Sequence, residues 1–308
     1  MTTNAIQSSH IYSTYFAPRG RSRIYTLGMQ IAQLYLSPFD QIIGFIGEAG
    51  SGKSVLIKGM FPGIELTNDD DGVNVRPLPL LEQEYETGFF TPHTYHLDIR
   101  FETGFHQLSE LADAVRLAVR RGKRIIIEHF DLIYPVLGVN ANLLIGVGEQ
   151  IVITRPNLFG PLPQELCDIV YPSLAYRLMA HSAEDLCEYA MTQEQMLACS
   201  HGDIRHGFVL EFNEHQPDID IPTLEARVNE LIRQDLPIDY YDESHILLGG
   251  AQHYCTGPRT HVRSTGRIIG FRLLDHFIYD HFHKTYMLVG CVGDDSEENI
   301  RKLETIHG

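Results

Sequence analysis

Long apolar runs are missing from this chain: no segment approaches the ~18 unbroken apolar residues of a membrane span, so neither a membrane protein nor a membrane partner is expected. The opening stretch, MTTNAIQSSHIYSTYF, has neither the basic start nor the apolar core of a secretory signal, and a cytoplasmic protein is therefore expected. Paired cysteines are missing too. The five present, Cys167, Cys187, Cys199, Cys255 and Cys291, are odd in number, scattered and without CxxC spacing, which argues against a disulfide framework. Basic residues are scarce, 24 Lys and Arg against 40 Asp and Glu, for a net charge of −16. A broad grip on a nucleic-acid backbone depends on cations neutralising phosphates. DNA is accordingly excluded as an expected partner, and any RNA contact must be local.

What is present is ordinary soluble-protein material, 44% hydrophobic and 21% charged. At 308 residues the chain exceeds the size at which one core keeps growing, so two domains are expected. Residues 1–20 read as a polar and aromatic arm before a helix over 22–36. The run QIIGFI (41–46) is an almost wholly apolar strand, and VLIKGMF continues as a helix. Further strands are predicted at 94–99, 124–128 and 150–154, with a helix over 107–121. Strands alternating with helices imply a mainly parallel sheet covered on both faces, an α/β domain over 1–160. The proline-rich stretch RPNLFGPLPQEL (155–166) reads as a linker. Beyond it, helices at 173–190 and 223–234, a strand at 206–213 and then Gly- and His-rich strands to the end suggest an α+β domain over 161–308.

Between the first apolar strand and its helix lies Gly47-Glu48-Ala49-Gly50-Ser51-Gly52-Lys53-Ser54, which satisfies GxxxxGK[ST], the P-loop pattern. Glycines such as Gly47, Gly50 and Gly52 let backbone N–H groups turn toward phosphate oxygens, joined by the amides of Ser51 and Val55 at the helix start. Lys53 would reach the β- and γ-phosphates and the Ser54 hydroxyl would complete a Mg²⁺ shell. The loop grips phosphates and not a base, and no guanine-reading NKxD run is visible; the expected nucleotide is ATP or, less favourably, GTP. A glycine-rich turn that binds nothing is the bland alternative.

Such a site also needs a carboxylate at the end of a neighbouring strand. RIIIEHFD offers Glu128, with Asp131 just beyond, and TYHLDI offers Asp98; helix capping or pairing with an arginine is the plainer account of each. The turn Thr67-Asn68-Asp69-Asp70-Asp71-Gly72 is either a solvated acidic loop or a substrate loop. Arg76 and Arg155 are candidate phosphate partners or ordinary surface arginines.

In the second half, three segments carry a resemblance. VNELIRQDLPI (228–238), CTGPRTHVRSTG (255–266) and HSAEDL (181–186) together resemble the editing domain of alanyl-tRNA synthetases and free-standing AlaX proteins, the tRNA synthetase second additional domain. The likeness covers roughly 173–292. It implies a Zn²⁺ site and hydrolysis of an aminoacyl ester on a mischarged tRNA. His181, Cys255 and His261 match the family's ligands; Asp185 stands where the family has a second helical histidine, and five residues instead of three separate Cys255 from His261. A carboxylate can ligate Zn²⁺, and i, i+4 residues share a helix face. A remodelled, metal-free pocket is the competing account. His253 is a substitute ligand candidate and His245 a more distant one. Of the 16 histidines, His276, His281 and His283 fall in an aromatic stretch that reads as a hairpin, where core or surface roles outrank metal binding. The cysteines other than Cys255 read as buried thiols.

The expected function is a nucleotide-dependent hydrolase whose second domain recognises, and perhaps hydrolyses, an aminoacyl or tRNA-like ligand. A small-molecule P-loop kinase using Asp98, or an aspartate of 69–71, is the first alternative; a non-catalytic nucleotide-dependent regulator is the second. Acidity suits both alternatives better, since tRNA needs a basic track.

Overall fold

A computed structural model describes residues 12–64, 66, 93–213 and 215–307. The chain divides into two compact units: residues 1–17 with 21–172, and 18–20 with 173–308. The acidic turn at 67–72, Arg76 and the start of the N-terminal arm lie outside the described residues. Among the described residues no helix is long and apolar enough to cross a membrane.

The first unit is α/β. Strands β1 (Ser13–Phe16), β2 (Ile42–Ile46), β3 (Thr94–Asp98), β4 (Arg124–Glu128), β5 (Leu143–Val147) and β6 (Gln150–Thr154) form one sheet in the order β1-β6-β5-β2-β4-β3. The pairs β5/β2, β2/β4 and β4/β3 are parallel, and β5/β6 and β6/β1 antiparallel. The unbroken apolar runs in the central strands follow from burial on both faces. Alternate residues of a strand point to opposite sides. Ile42, Ile46, Ile125, Ile127 and Leu144 accordingly enter one core, with helices α4 (Leu108–Arg120), α5 (Phe130–Leu137) and the start of α6 (Pro163–Ala190). Ile43, Phe45, Ile126, Leu143 and Ile145 enter the other, with α1 (Arg21–Tyr35) and α2 (Lys53–Met60). The short helix α3 (Ile99–Glu102) follows β3.

Several elements differ from the sequence expectation. Part of the N-terminal arm is β1, an edge strand. β5 was not expected, because LLIGV is a short apolar run with no alternation to mark it; α5 was masked by Pro135. The proline-rich stretch ends inside a helix, since Pro163 stands at the first position of α6, where its missing N–H costs nothing. Arg155 is a brace: its Nη1 and Nη2 donate to Asp40 Oδ1 and Oδ2 at 2.7 and 2.8 Å, and it also binds the Tyr35 carbonyl.

The second unit is α+β, built on antiparallel sheets. One contains β12 (Arg272–Leu273), β14 (Thr285–Cys291), β8 (Gly207–Asn213) and β7 (Cys199–Ile204), with β13 (Ile278–Asp280) also paired to β14. The β13–β14 hairpin is where the aromatic, His-rich stretch lies. The other contains β9 (Ile238–Asp242), β10 (His245–Leu248) and β11 (Ala251–Tyr254). Helix α7 (Gln193–Ala198) precedes β7, and α8 (Ile221–Arg233) starts at the Asp220 cap, whose carboxylate accepts from Thr223 N at 3.3 Å. Met179, Ala183 and Leu186 of α6 pack with Phe208, Leu210, Leu224, Val228 and Ile246 in one core. Where strands were expected to run to the end, residues Ser296–His307 form helix α9 instead. Its Ile300 and Leu303 lie against Val209, Leu274 and Val289, and Lys302 pairs with Glu298 one turn back at 2.7 Å.

Helix α2, which carries the end of the glycine-rich motif, is held close to α1: a Cβ built on Gly59 would fall 2.2 Å from the Tyr25 carbonyl oxygen. Alanine is the better helix former by about 1 kcal/mol, but the backbone has no room for it. Gly59→Ala is therefore expected to destabilise the protein by about 2 kcal/mol, within the range of an overpacked core, as a lowered urea midpoint. A midpoint unchanged or raised would show that the two helices are not in this contact.

Candidate functional site

In the first unit, β2 ends at Ile46 and the glycine-rich turn leads directly into α2. The turn folds on itself through Ser51 N–H to the Glu48 carbonyl, 3.3 Å. Gly50 and Gly52 have φ of 79° and 92°, left-handed conformations that an L side chain resists. The first i→i−4 bond runs from Leu56 N–H to the Gly52 carbonyl at 3.0 Å. The amides of Lys53, Ser54 and Val55 lie ahead of it, at the positive end of the helix dipole.

Lys53 is buried and lies back over the turn, its Nζ donating to the carbonyls of Gly47 at 3.0 Å and Glu48 at 2.9 Å. Glu128, at the end of the adjacent parallel strand β4, approaches from the other side. Its Oε2 is 3.7 Å from Lys53 Nζ, and its Oε1 accepts from Ser54 Oγ and His96 Nε2, each at 3.2 Å. Burial alone would raise the Glu128 carboxyl, but the hydrogen bond and charge of His96, together with Lys53, hold it below the ordinary glutamate value. Burial lowers the Lys53 ammonium against the opposing pull of Glu128 and Asp98.

The two carboxylates weighed from sequence thus have different surroundings. Glu128 faces Lys53 and Ser54. Asp98 is the N-cap of α3, its Oδ1 accepting from Phe101 N–H at 3.1 Å. Ligand atoms of Asp98, Glu128 and His129 nevertheless lie within 4.8 Å of one another. His129 has φ of 56° and a buried Nδ1 without a hydrogen-bond partner among the described residues. Sequence reading missed His96 and His129. The available signal for His96 was a polar residue between two apolar ones, Tyr95 and Leu97, within a strand; His129, between a strand and a helix, had none.

In the second unit, α6 and the segment after β11 bring together all four residues singled out from the sequence. Ligand atoms of His181, Asp185, Cys255 and His261 lie within 4.8 Å of one another. Cys255 Sγ is 3.5 Å from His181 Nε2 and 3.7 Å from His261 Nε2, and His261 Nε2 is 2.8 Å from Asp185 Oδ2. The extra residues between Cys255 and His261 are taken up by a turn, closed by Thr260 N–H to the Gly257 carbonyl at 2.9 Å. His181 Nδ1 donates to the Thr260 carbonyl at 2.9 Å and His261 Nδ1 to the Pro258 carbonyl at 3.3 Å. Since a carbonyl only accepts, each Nδ1 carries the proton and each Nε2 points its lone pair or second proton at the cluster. Burial, and then the neighbouring His261, push His181 well below the ordinary histidine value, so its Nε2 is a lone pair.

Burial raises the Cys255 thiol well above its ordinary value, with Asp185 adding to the effect. Burial would also raise Asp185, but His181 and His261 outweigh it and hold this carboxylate ionised. Two imidazoles, a thiol and a carboxylate at this spacing suit tetrahedral Zn²⁺ in ligand type. His245 is elsewhere, with Nδ1 2.9 Å from Asp242 Oδ1. His276 and His283 pair with Asp275 and Asp280, both at 2.7 Å.

The wall behind the cluster is braced by Arg19, whose Nη1 donates to Glu184 Oε1 at 2.7 Å and Nη2 to the Gly207 carbonyl at 2.8 Å. Burial pushes the Glu184 carboxyl up to about 7 against the pull of Arg19. Removing one member of a buried pair strands the other. Arg19→Met, which keeps most of the side-chain bulk, is expected to cost about 3 kcal/mol, read as a lowered urea midpoint. An unchanged midpoint would exclude a structural role for the pair.

Searches against protein-family models and curated proteins return no match for this chain.

Proposed function

We propose that the first unit is a P-loop nucleotide-binding domain for ATP, or less favourably GTP, with Mg²⁺, and that the chain is an NTP hydrolase. The single observation that carries this reading is the meeting of Lys53 and Ser54 with Glu128 beneath a turn of left-handed glycines, at the mouth of a helix. Lys53 would exchange its two carbonyl acceptors for phosphate oxygens, a stronger charge-assisted bond. The amides of the turn and of Lys53, Ser54 and Val55 would surround the same anion. Ser54 and Glu128 are the residues placed to hold Mg²⁺, which would neutralise charge on the phosphates. Hydrolysis is favoured over phosphotransfer to a small acceptor because the Asp98 carboxylate is engaged as a helix cap.

We further propose that the second unit is an editing-type domain related to that of the AlaX proteins and the alanyl-tRNA synthetases, recognising an aminoacyl or tRNA-like ligand. His181, Asp185, Cys255 and His261 would hold Zn²⁺, which supplies Lewis-acid polarisation of an ester carbonyl. Their own contribution is positional: both imidazoles are fixed by backbone carbonyls through Nδ1, as ligating histidines commonly are.

Two outcomes are expected for the first unit. Lys53→Ala abolishes nucleotide binding, measured by equilibrium dialysis with labelled ATP, while leaving the circular dichroism spectrum unchanged; undiminished affinity would remove the assignment. Turnover by the wild type yields free phosphate, whereas a phosphorylated small molecule would establish the kinase. For the second unit, metal analysis is expected to find zinc in the wild type and less in Cys255→Ala and His261→Ala. Because burial keeps the Cys255 thiol protonated at neutral pH, zinc must displace that proton. Zinc affinity is therefore expected to rise about tenfold per pH unit between pH 6 and 8 for one displaced proton. A flat profile would mean that Cys255 is not a ligand.

A further inference from the structure

On helix α6 the residues His181, Asp185 and Glu188 succeed one another at spacings of four and three, which places them along one face. The first two belong to the cluster described above. The third does not, yet Asp185, Glu188 and His253 form a group of their own, with ligand atoms within 4.8 Å of one another and all three residues buried. His253 comes from β11, where it is the one buried residue of the strand. Its Nε2 is buried without a hydrogen-bond partner among the described residues. A buried imidazole nitrogen stranded this way is costly, so its retention beside two carboxylates calls for a partner that the described residues do not provide.

The surroundings fit a cation. Glu188 Oε1 accepts from His201 Nε2, and Cys199 Sγ lies 3.8 Å from the same oxygen. That arrangement fixes the carboxylate from behind, and a carboxylate has a second oxygen for a ligand in front. Asp185 likewise has two oxygens: Oδ2 meets His261 at 2.8 Å and Oδ1 faces His181 at 3.8 Å. Tyr189 packs edge-on against the His253 ring at 5.8 Å, limiting its rotation.

We propose that Asp185, Glu188 and His253 bind a second divalent transition-metal ion, and that Asp185 bridges it to the first, so that the second unit holds a dinuclear, carboxylate-bridged centre. One imidazole and two carboxylates make this site harder than its thiolate-containing neighbour, suited to zinc, manganese or iron(II). The proposal rests on the reading of the first cluster as a metal site only through the shared Asp185.

The test uses the full-length protein, freed of metal by a chelator and titrated with Co²⁺, with absorption recorded and bound cobalt measured after desalting. Two equivalents per chain are expected, one of them accompanied by a thiolate-to-cobalt charge-transfer band. Cys255→Ser loses that band and one equivalent. His253→Ala and the near-isosteric Glu188→Gln keep the band and bind one equivalent instead of two. A single equivalent in the wild type, with the band present and unaffected by His253→Ala, overturns the second site while leaving the first. Loss of the second equivalent in His201→Gln but not in His253→Ala also overturns it, since the ion would then sit between Glu188, Cys199 and His201. No bound cobalt in the wild type overturns both sites.

Discussion

A carboxylate at the end of an inner strand is what the first unit is arranged around. Glu128 is nearly enclosed, and burying a charge is tolerated only where partners replace water. Among the described residues it has three: Ser54 and His96 as donors and Lys53 as a countercharge. Those partners come from a helix start and from β3, so the register of β2, β3 and β4 has to be right before any of them meets. The apolar runs that secure this register, IIGFI and RIII, are the reason a polar cluster of this kind can exist inside the sheet at all. The same packing presses α2 against α1 at Gly59, which fixes where the glycine-rich turn opens.

The second unit uses a different device, one face of a helix. His181, Asp185 and Glu188 are aligned by helical spacing alone, and the opposing donors come from β11 and the segment after it. Each of the two stacked imidazoles, with ring centroids 4.3 Å apart, is anchored through Nδ1 to a backbone carbonyl. Their orientation is therefore set by the main chain and does not wait for a ligand. Arg19 neutralises Glu184 just behind, so the negative charge facing the cluster is that of Asp185 and Glu188. An acidic lining of this kind attracts cations.

Much of the frame was legible in the sequence because it is written in local pattern. The strand, glycine-rich turn and helix succeed one another within some twenty residues, and the strands at 124–128 and 150–154 announce themselves by apolar continuity. Elements whose pattern is ambiguous were lost: LLIGV is too short to distinguish from a buried helix, and Pro135 disguised α5. The C-terminal helix was overlooked although its Glu297–Arg301 and Glu298–Lys302 pairs have the right spacing. Within the sites, Lys53, Ser54 and Glu128 could be named because a motif or a strand end marks them, and His181, Asp185, Cys255 and His261 through the resemblance to an editing domain. That His96 meets Glu128, and that His253 Nε2 has no partner among the described residues, could not be foreseen, since each depends on which strand lies alongside. Arg155 illustrates the converse: at the end of a strand it had the look of a phosphate ligand, and Asp40, more than a hundred residues away in sequence, claims it.

The central claim is that backbone amides around residues 47–55 converge on a phosphate. Amide hydrogen exchange of the intact protein, with and without ATP and Mg²⁺, tests it where it is made. Slowed exchange confined to the turn and the first turn of α2, with the rest of the sheet unchanged, is the predicted result. Exchange in that segment indifferent to nucleotide would contradict the account.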